Sequence, residues 1–266
     1  MTSKWEQIID PVKIESMYAI YSTYDNDILF SRKEIKKPIL CGGIITDFSQ
    51  NVFNVKKDEL VGLISYEQKQ DLILSSNLII KLRNNKNLKL IASLPYASFA
   101  MKVLRMVKPS HNQNIVIIGK DPFTTLLTKI LNRSGARVSS LKSSDNFVIL
   151  KNKPMDILIY SQENSEVKKL VSQFEPKSKY ELKQISLTDV GFEDNNYQKG
   201  VKYPYSYIRW DFKKNLQYFV TLVNEYNDFL NFFDIEIIKI TDFDEISHKI
   251  DQLETNMLYL FQKTSN

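Results

Sequence analysis

Hydrophobic and polar residues along the chain alternate between two periods, and the switches between them predict an α/β order of elements. Apolar residues at strand spacing run from Met17 to Thr23 and from Ile28 to Lys33, and the turn-formers Tyr24-Asp-Asn-Asp27 between them predict a β-hairpin. Further strands are expected at Ile39 to Phe48, Leu60 to Tyr66 and Leu78 to Leu82. Ser93 to Val107 reads as a helix with Pro95 in its first turn and a core face of Ala97, Phe99, Ala100, Val103 and Leu104. After a strand–turn–helix unit around Gly119, Met155 to Tyr160 is predicted as a strand, Glu163 to Phe174 as an amphipathic helix and Tyr180 to Ile185 as a short strand. Residues Ser186 to Tyr207 are polar and irregular. Asp211 to Glu225 then reads as a helix, Ile235 to Ile240 as a strand, Phe243 to Leu253 as a helix and Met257 to Phe261 as a last strand.

The unit around Gly119 is the most informative stretch. Ile115 to Ile118 are consecutive apolar residues, as in a parallel strand buried on both faces, and Gly119 follows where a tight turn is needed. Pro122 suits the first turn of a helix whose stripe is Leu126, Leu127, Ile130 and Leu131, and Gly135 ends it. This is the outline of a dinucleotide-binding βαβ unit. In the G-x-G-x-x-G pattern the second glycine lets amides approach a pyrophosphate and the third brings the helix close to the strand. Asp121 and Thr124 hold those two places. An acid at a helix N-terminus complements the helix dipole and competes with a phosphate for the same donors.

The residue after the second strand is Lys142, at 142 − 119 = 23 positions from Gly119, close to the roughly 20 at which an acid ordinarily meets the ribose. A lysine there is compatible with the 2′-phosphate of NADP. The candidate cofactor residues are therefore Gly119, Asp121, Thr124, Arg137 and Lys142. Two readings stand: a relaxed NADPH site, or a strand–turn–helix kept for its fold.

Charge narrows the partners. The 36 basic and 31 acidic residues are spread along the 266, and the net charge of +5 contains no Lys/Arg run long enough to follow a phosphate backbone, which argues against nucleic acid. One cysteine, Cys41, cannot form an internal disulfide, no uninterrupted apolar run reaches the roughly 20 residues of a membrane span, and the first residues lack a signal-peptide core. A cytoplasmic protein is expected. A catalytic zinc requires about three clustered N, S or O ligands, whereas this chain has Cys41, His111 and His248 far apart, so no zinc is expected. Cys41 reads as a small buried residue and His111 as a solvated loop residue. Tyr203, Tyr205, Tyr207, Arg209 and Trp210 form an aromatic patch with a cation, suited either to packing or to a partner or ligand. A helix Asn215 to Phe233 carries more aromatics, Tyr218, Phe219, Tyr226, Phe229, Phe232 and Phe233, than one helix on one sheet requires, and part of that face is expected to meet another subunit, as in a homodimer.

Several separated segments together resemble the medium-chain dehydrogenase/reductase family, relatives of the zinc-type alcohol dehydrogenases. Cys41-Gly-Gly-Ile-Ile-Thr-Asp-Phe to Gly62 is similar to the strand and turn where that family's chain leaves its catalytic domain. Ala92-Ser-Leu-Pro-Tyr-Ala-Ser-Phe-Ala100 looks like the helix before its Rossmann domain, and Met155-Asp-Ile-Leu-Ile-Tyr160 like a central Rossmann strand. Val201-Lys-Tyr-Pro-Tyr-Ser-Tyr-Ile-Arg-Trp-Asp211 is similar to a segment of members associated with surface-polysaccharide biosynthesis. The resemblance implies a Rossmann-type parallel sheet, residues 91–240, attached to a truncated GroES-like β-rich region, residues 1–90 with 241–266. By Gly42 the sequence already matches the end of the GroES-like domain, so the part that carries the family's zinc ligands is expected to be missing. The implied function is a diverged, non-catalytic accessory or partner-binding protein in a biosynthetic pathway. The alternative is a zinc-independent NADPH-dependent oxidoreductase.

Overall fold

The computed structural model describes residues 8, 10–24, 27, 29–30, 38–67, 69–82, 87–119, 121–141, 155–160, 183–186, 212–226 and 228–264. The chain forms two compact parts, Met1–Ser98 with Glu193–Asn266, and Phe99–Phe192.

The first part is built on a mixed seven-stranded sheet. Its strands are β1 (Pro11–Ser22), β2 (Ile39–Phe48), β3 (Leu60–Ser65), β4 (Asp71–Ser75), β5 (Ile80–Lys81), β10 (Glu236–Ile240) and β11 (Leu258–Lys263). The order is β10-β11-β1-β2-β3-β5, with β4 also paired to β1, and only β10 and β11 run parallel. Alternating apolar positions explain the core: Val12, Ile14, Leu40, Ile45, Tyr259 and Phe261 are all buried in one cluster with Phe243 and Ile246. Helix α1 (Leu88–Val107) covers this sheet where side chains are missing, for a Cβ on Gly62 would lie 2.4 Å from Leu94 Cδ1 and one on Gly42 would lie 3.1 Å from Ile91 Cγ2.

The second part holds a parallel four-stranded sheet, ordered β7-β6-β8-β9, made of β6 (Asn114–Ile118), β7 (Arg137–Leu141), β8 (Ile157–Tyr160) and β9 (Lys183–Ser186). Ile115, Val116, Ile117 and Ile118 are all buried, as an apolar run in a parallel strand requires. Helix α2 (Pro122–Arg133) packs its predicted stripe inward, and Phe123 stacks on Phe99 with ring centroids 4.9 Å apart. Gly135, at φ +92°, ends that helix as expected.

Four expectations change. Of the expected second hairpin strand, residues 28 and 31–33 lie outside the described residues, and Leu29 and Phe30 lie in a turn, because Asp27 accepts from the Leu29 amide with Oδ1 and from the Phe30 amide with its carbonyl. Both edges of β1 are taken by other strands, β2 on one side and β4 and β11 on the other. Helix α1 begins at Leu88, where the Asn87 side chain accepts from the Lys89 and Leu90 amides, and this puts Pro95 inside the helix instead of in its first turn. By length and composition α1 could cross a membrane, yet 78% of its most apolar window is buried, which is the pattern of a core helix. The aromatic stretch is a shorter helix, α3 (Phe212–Glu225), followed by turns, and Phe219, Phe229 and Phe233 are buried while Tyr218 is exposed. Finally, β10 pairs with β11 and α3 lies against β5, so both belong to the β-rich part, although residues up to 240 were read as part of the Rossmann-type domain. Of the remaining helices, α4 (Glu245–Ile250) matches the predicted Phe243 to Leu253 in its centre, and the predicted helix at 163–174 lies outside the described residues.

Candidate functional site

The loop between β6 and α2 brings together three of the five residues expected to meet a dinucleotide. Gly119 stands at the carboxyl end of β6 with φ +152°, and its amide donates to the Leu141 carbonyl at 2.8 Å, tying the turn to the end of β7. A Cβ at Gly119 would fall 2.5 Å from Thr124 Oγ1, so the glycine is required both by its backbone angle and by the threonine against it. Asp121 is the N-cap of α2. Its Oδ1 accepts from the Thr124 amide at 2.8 Å and its Oδ2 accepts from the Thr124 hydroxyl at 2.9 Å. Its carbonyl accepts from the Thr125 amide at 3.1 Å. The residue types at the second and third glycine positions therefore bond to each other, and the amide that would be offered to an anion at this helix N-terminus is occupied by the chain's own carboxylate.

Burial pushes the Asp121 carboxyl above the usual carboxylate range, and the hydrogen bonds from Thr124 and the Phe123 amide pull it only part of the way back. The folded chain consequently holds this proton to a higher pH than the unfolded chain, and stability falls as pH rises above about 4, across the window between the two values. In Asp121→Asn the cap is kept but the titration is removed. Urea midpoints of this variant should fall less steeply than those of the parent as pH rises from about 4. Parallel profiles for the two proteins would refute the burial argument.

Arg137 does not join this group. It is the first residue of β7 and pairs with Asn114 at the amino end of β6, whereas Gly119 and Leu141 mark the opposite end, about 13 Å along the strands. Nucleotides in open α/β sheets bind beyond the carboxyl ends, so Arg137 is misplaced for a cofactor contact. Lys142 follows Leu141 directly and lies outside the described residues, as do Tyr203, Tyr205, Tyr207, Arg209 and Trp210.

Cys41 is fully buried in β2 and burial pushes its thiol up, away from the thiolate a nucleophile or metal ligand requires. Among the described residues no group of three His, Cys, Asp or Glu is placed to hold a metal ion. His111 is exposed in the loop before β6, with its Nδ1 against Gly135, 2.9 Å from where a Cβ would stand.

One buried polar pair joins residues that no sequence motif connects. Tyr96 in α1 donates its hydroxyl to Asp27 Oδ2 at 2.6 Å, and both residues are completely buried. In the sequence Asp27 reads only as a turn-former. The apolar run Ile28-Leu29-Phe30 beside it was the available signal that this turn faces inward.

No protein-family model matches the sequence, and no curated protein matches it. Solved structures do match over nearly the whole chain. The CurK enoyl reductase superposes with a TM-score of 0.64 at 10% identity, over 99% of this chain and 94% of that one. TarJ of S. aureus in complex with NADPH gives 0.59 at 13% identity, over 96% and 92% of the two chains. CAD from Helicobacter pylori, complexed with NADP(H), gives 0.55 at 13% identity, over 96% and 91%. Identities this low speak for the fold alone: the chain has the fold of the medium-chain dehydrogenases and reductases, a Rossmann-type parallel sheet joined to a GroES-like β-rich region.

Proposed function

We propose that this oxidoreductase-like fold serves as a non-catalytic accessory protein that binds a protein partner, or a second copy of itself, within a biosynthetic pathway. The observation that carries this reading is the Asp121 cap. The carboxylate stands at the N-terminus of α2 and accepts from the Thr124 amide and hydroxyl, so a pyrophosphate arriving there would meet a negative charge and an amide already bonded. A lone buried cysteine fits a reducing cytoplasmic setting. The aromatic segment Tyr203 to Trp210 is the first to test for the partner.

A second reading, a zinc-independent NADPH-dependent oxidoreductase, is favoured by Gly119, which keeps the βαβ turn and its bond to the end of β7. TarJ and the H. pylori CAD, similar in fold, have NADPH or NADP(H) in their complexes. Thermal unfolding with NADPH, NADH or neither separates the readings, since a ligand at 100 times its Kd stabilises the native state by about 2.7 kcal/mol. The accessory reading expects no shift for the parent chain, and a shift for Asp121→Gly, in which the amides of α2 are released. A shift of the parent with NADPH would overturn it. In that event Lys142→Ala should weaken NADPH much more than NADH, and an equal loss for both would remove the 2′-phosphate role from Lys142.

A further inference from the structure

The β-rich part contains a cavity of about 510 Å³ that shares no residue with the Gly119 turn. Its volume is in the range of small-molecule sites, and its walls are of two kinds. Ile79 and Ile80 are almost wholly buried and, with Leu82 and Val220, give it an apolar side. The other side is polar and comes from separate elements: Lys81 on β5, Asn54 on the loop after β2, and Lys213, Gln217, Thr221 and Asn224 along one face of α3. These α3 residues recur at three- and four-residue spacing, which places them in a row along the helix.

Both ammonium groups are held in position. Lys213 Nζ donates to the Ser76 carbonyl at 2.9 Å, and Lys81 Nζ lies 3.2 Å from the Glu59 carboxylate. Among the described residues lining the cavity none is an acid. Two cations on different walls, side-chain amides between them and an apolar back wall select for one kind of occupant, while the Thr221 hydroxyl is turned back to the Gln217 carbonyl at 3.1 Å. We propose that this cavity binds a small molecule with an anionic group, phosphate or carboxylate, on an apolar body, the anion seated between Lys81 and Lys213 and the body against Ile79, Leu82 and Val220. The site is independent of whether a dinucleotide binds at Gly119.

The test is amide chemical-shift mapping of the full chain, titrated with phenyl phosphate, benzoate and phenol. Phenyl phosphate or benzoate is expected to move the amides of Lys81, Leu82, Val220 and Thr221 saturably, and the tighter of the two identifies the anion. Lys213→Met should weaken that binding about tenfold, the loss expected for one charge-assisted hydrogen bond. Thr221→Trp, a substitution on an exposed position of α3, should block the cavity, and it keeps the test decisive if Lys213→Met fails to fold. Phenol binding as tightly as the two anions would overturn the anionic assignment. No saturable shift at these amides with any probe, or unchanged binding to both variants, would overturn the site.

Discussion

Gly43→Ala should lower the stability of the chain by about 3 kcal/mol, and Gly43→Val by more. A Cβ at this position would stand 2.5 Å from the Glu15 carbonyl oxygen and 2.5 Å from Ile14 Cγ2, closer than real Cβ atoms come to anything. The cause is the irregular pairing of β1 with β2. Ser16 is opposite Gly43 and Tyr18 is opposite Gly42, so Met17 is left over in β1 as a bulge. The bulge presses β1 onto β2 where two consecutive glycines offer no side chain. Part of the obstruction at Gly43 is backbone, which cannot rotate away. At Gly42 the nearest atoms are the side-chain carbons Tyr18 Cδ2 and Ile91 Cγ2, 3.0 and 3.1 Å away, and these can yield by a few tenths of an ångström. Urea unfolding followed by circular dichroism should therefore rank Gly43→Ala well below Gly42→Ala. Equal midpoints for the two variants would show that the bulge is not what the glycines serve.

The same doublet shows what the sequence could and could not express. Strand β2 was legible to the residue, Ile39 to Phe48, because its apolar content and flanking turns are local properties. The parallel unit was legible for a similar reason, since consecutive isoleucines, a glycine, a proline and a helical stripe all fall within a short span. Pairings between distant segments were not. The apolar run Ile28 to Phe30 hints that the turn faces inward, but it does not say that Asp27 will accept from the Leu29 amide instead of feeding a hairpin, or that β11 will fill the edge of β1 from the other end of the chain. Pro95 marks an N-terminal turn by local rules alone, yet helix α1 begins earlier, at the Asn87 cap, because its stability comes from burial against the sheet.

The candidate site divides in the same way. The substitutions at Asp121 and Thr124 were visible as departures from a glycine pattern, but their mutual hydrogen bonds required the turn to be built before they could be seen. Arg137 is among the residues the sequence offers for the cofactor, and the parallel register of β6 and β7 places it at the end of the sheet away from the turn. The lysines of the cavity in the β-rich part are separated in the sequence by 213 − 81 = 132 positions, so no motif could have joined them.

Asp27→Ala should cost about 3 kcal/mol, as a change in a buried hydrogen-bond network. Asp27 accepts from the Tyr96 hydroxyl at 2.6 Å and from the Leu29 amide at 3.0 Å, and its replacement withdraws an acceptor from these donors inside the core. The tyrosine ring is itself clamped, with its centroid 5.6 Å from that of Phe233 and 6.4 Å from that of Phe30, so it cannot swing out to find water. Phe30 in turn meets Tyr21 edge-on at 5.6 Å, which connects the turn to β1. Tyr96→Phe keeps the ring contacts and removes only the hydroxyl, and it should cost about 1.5 kcal/mol because a buried hydrogen bond to a carboxyl oxygen is lost. If the pair acts as one unit, the double variant will be more stable than the sum of the single losses predicts, by about 1 kcal/mol or more in a double-mutant cycle. Additive losses would mean that Asp27 holds the turn alone and that the tyrosine is there for its ring.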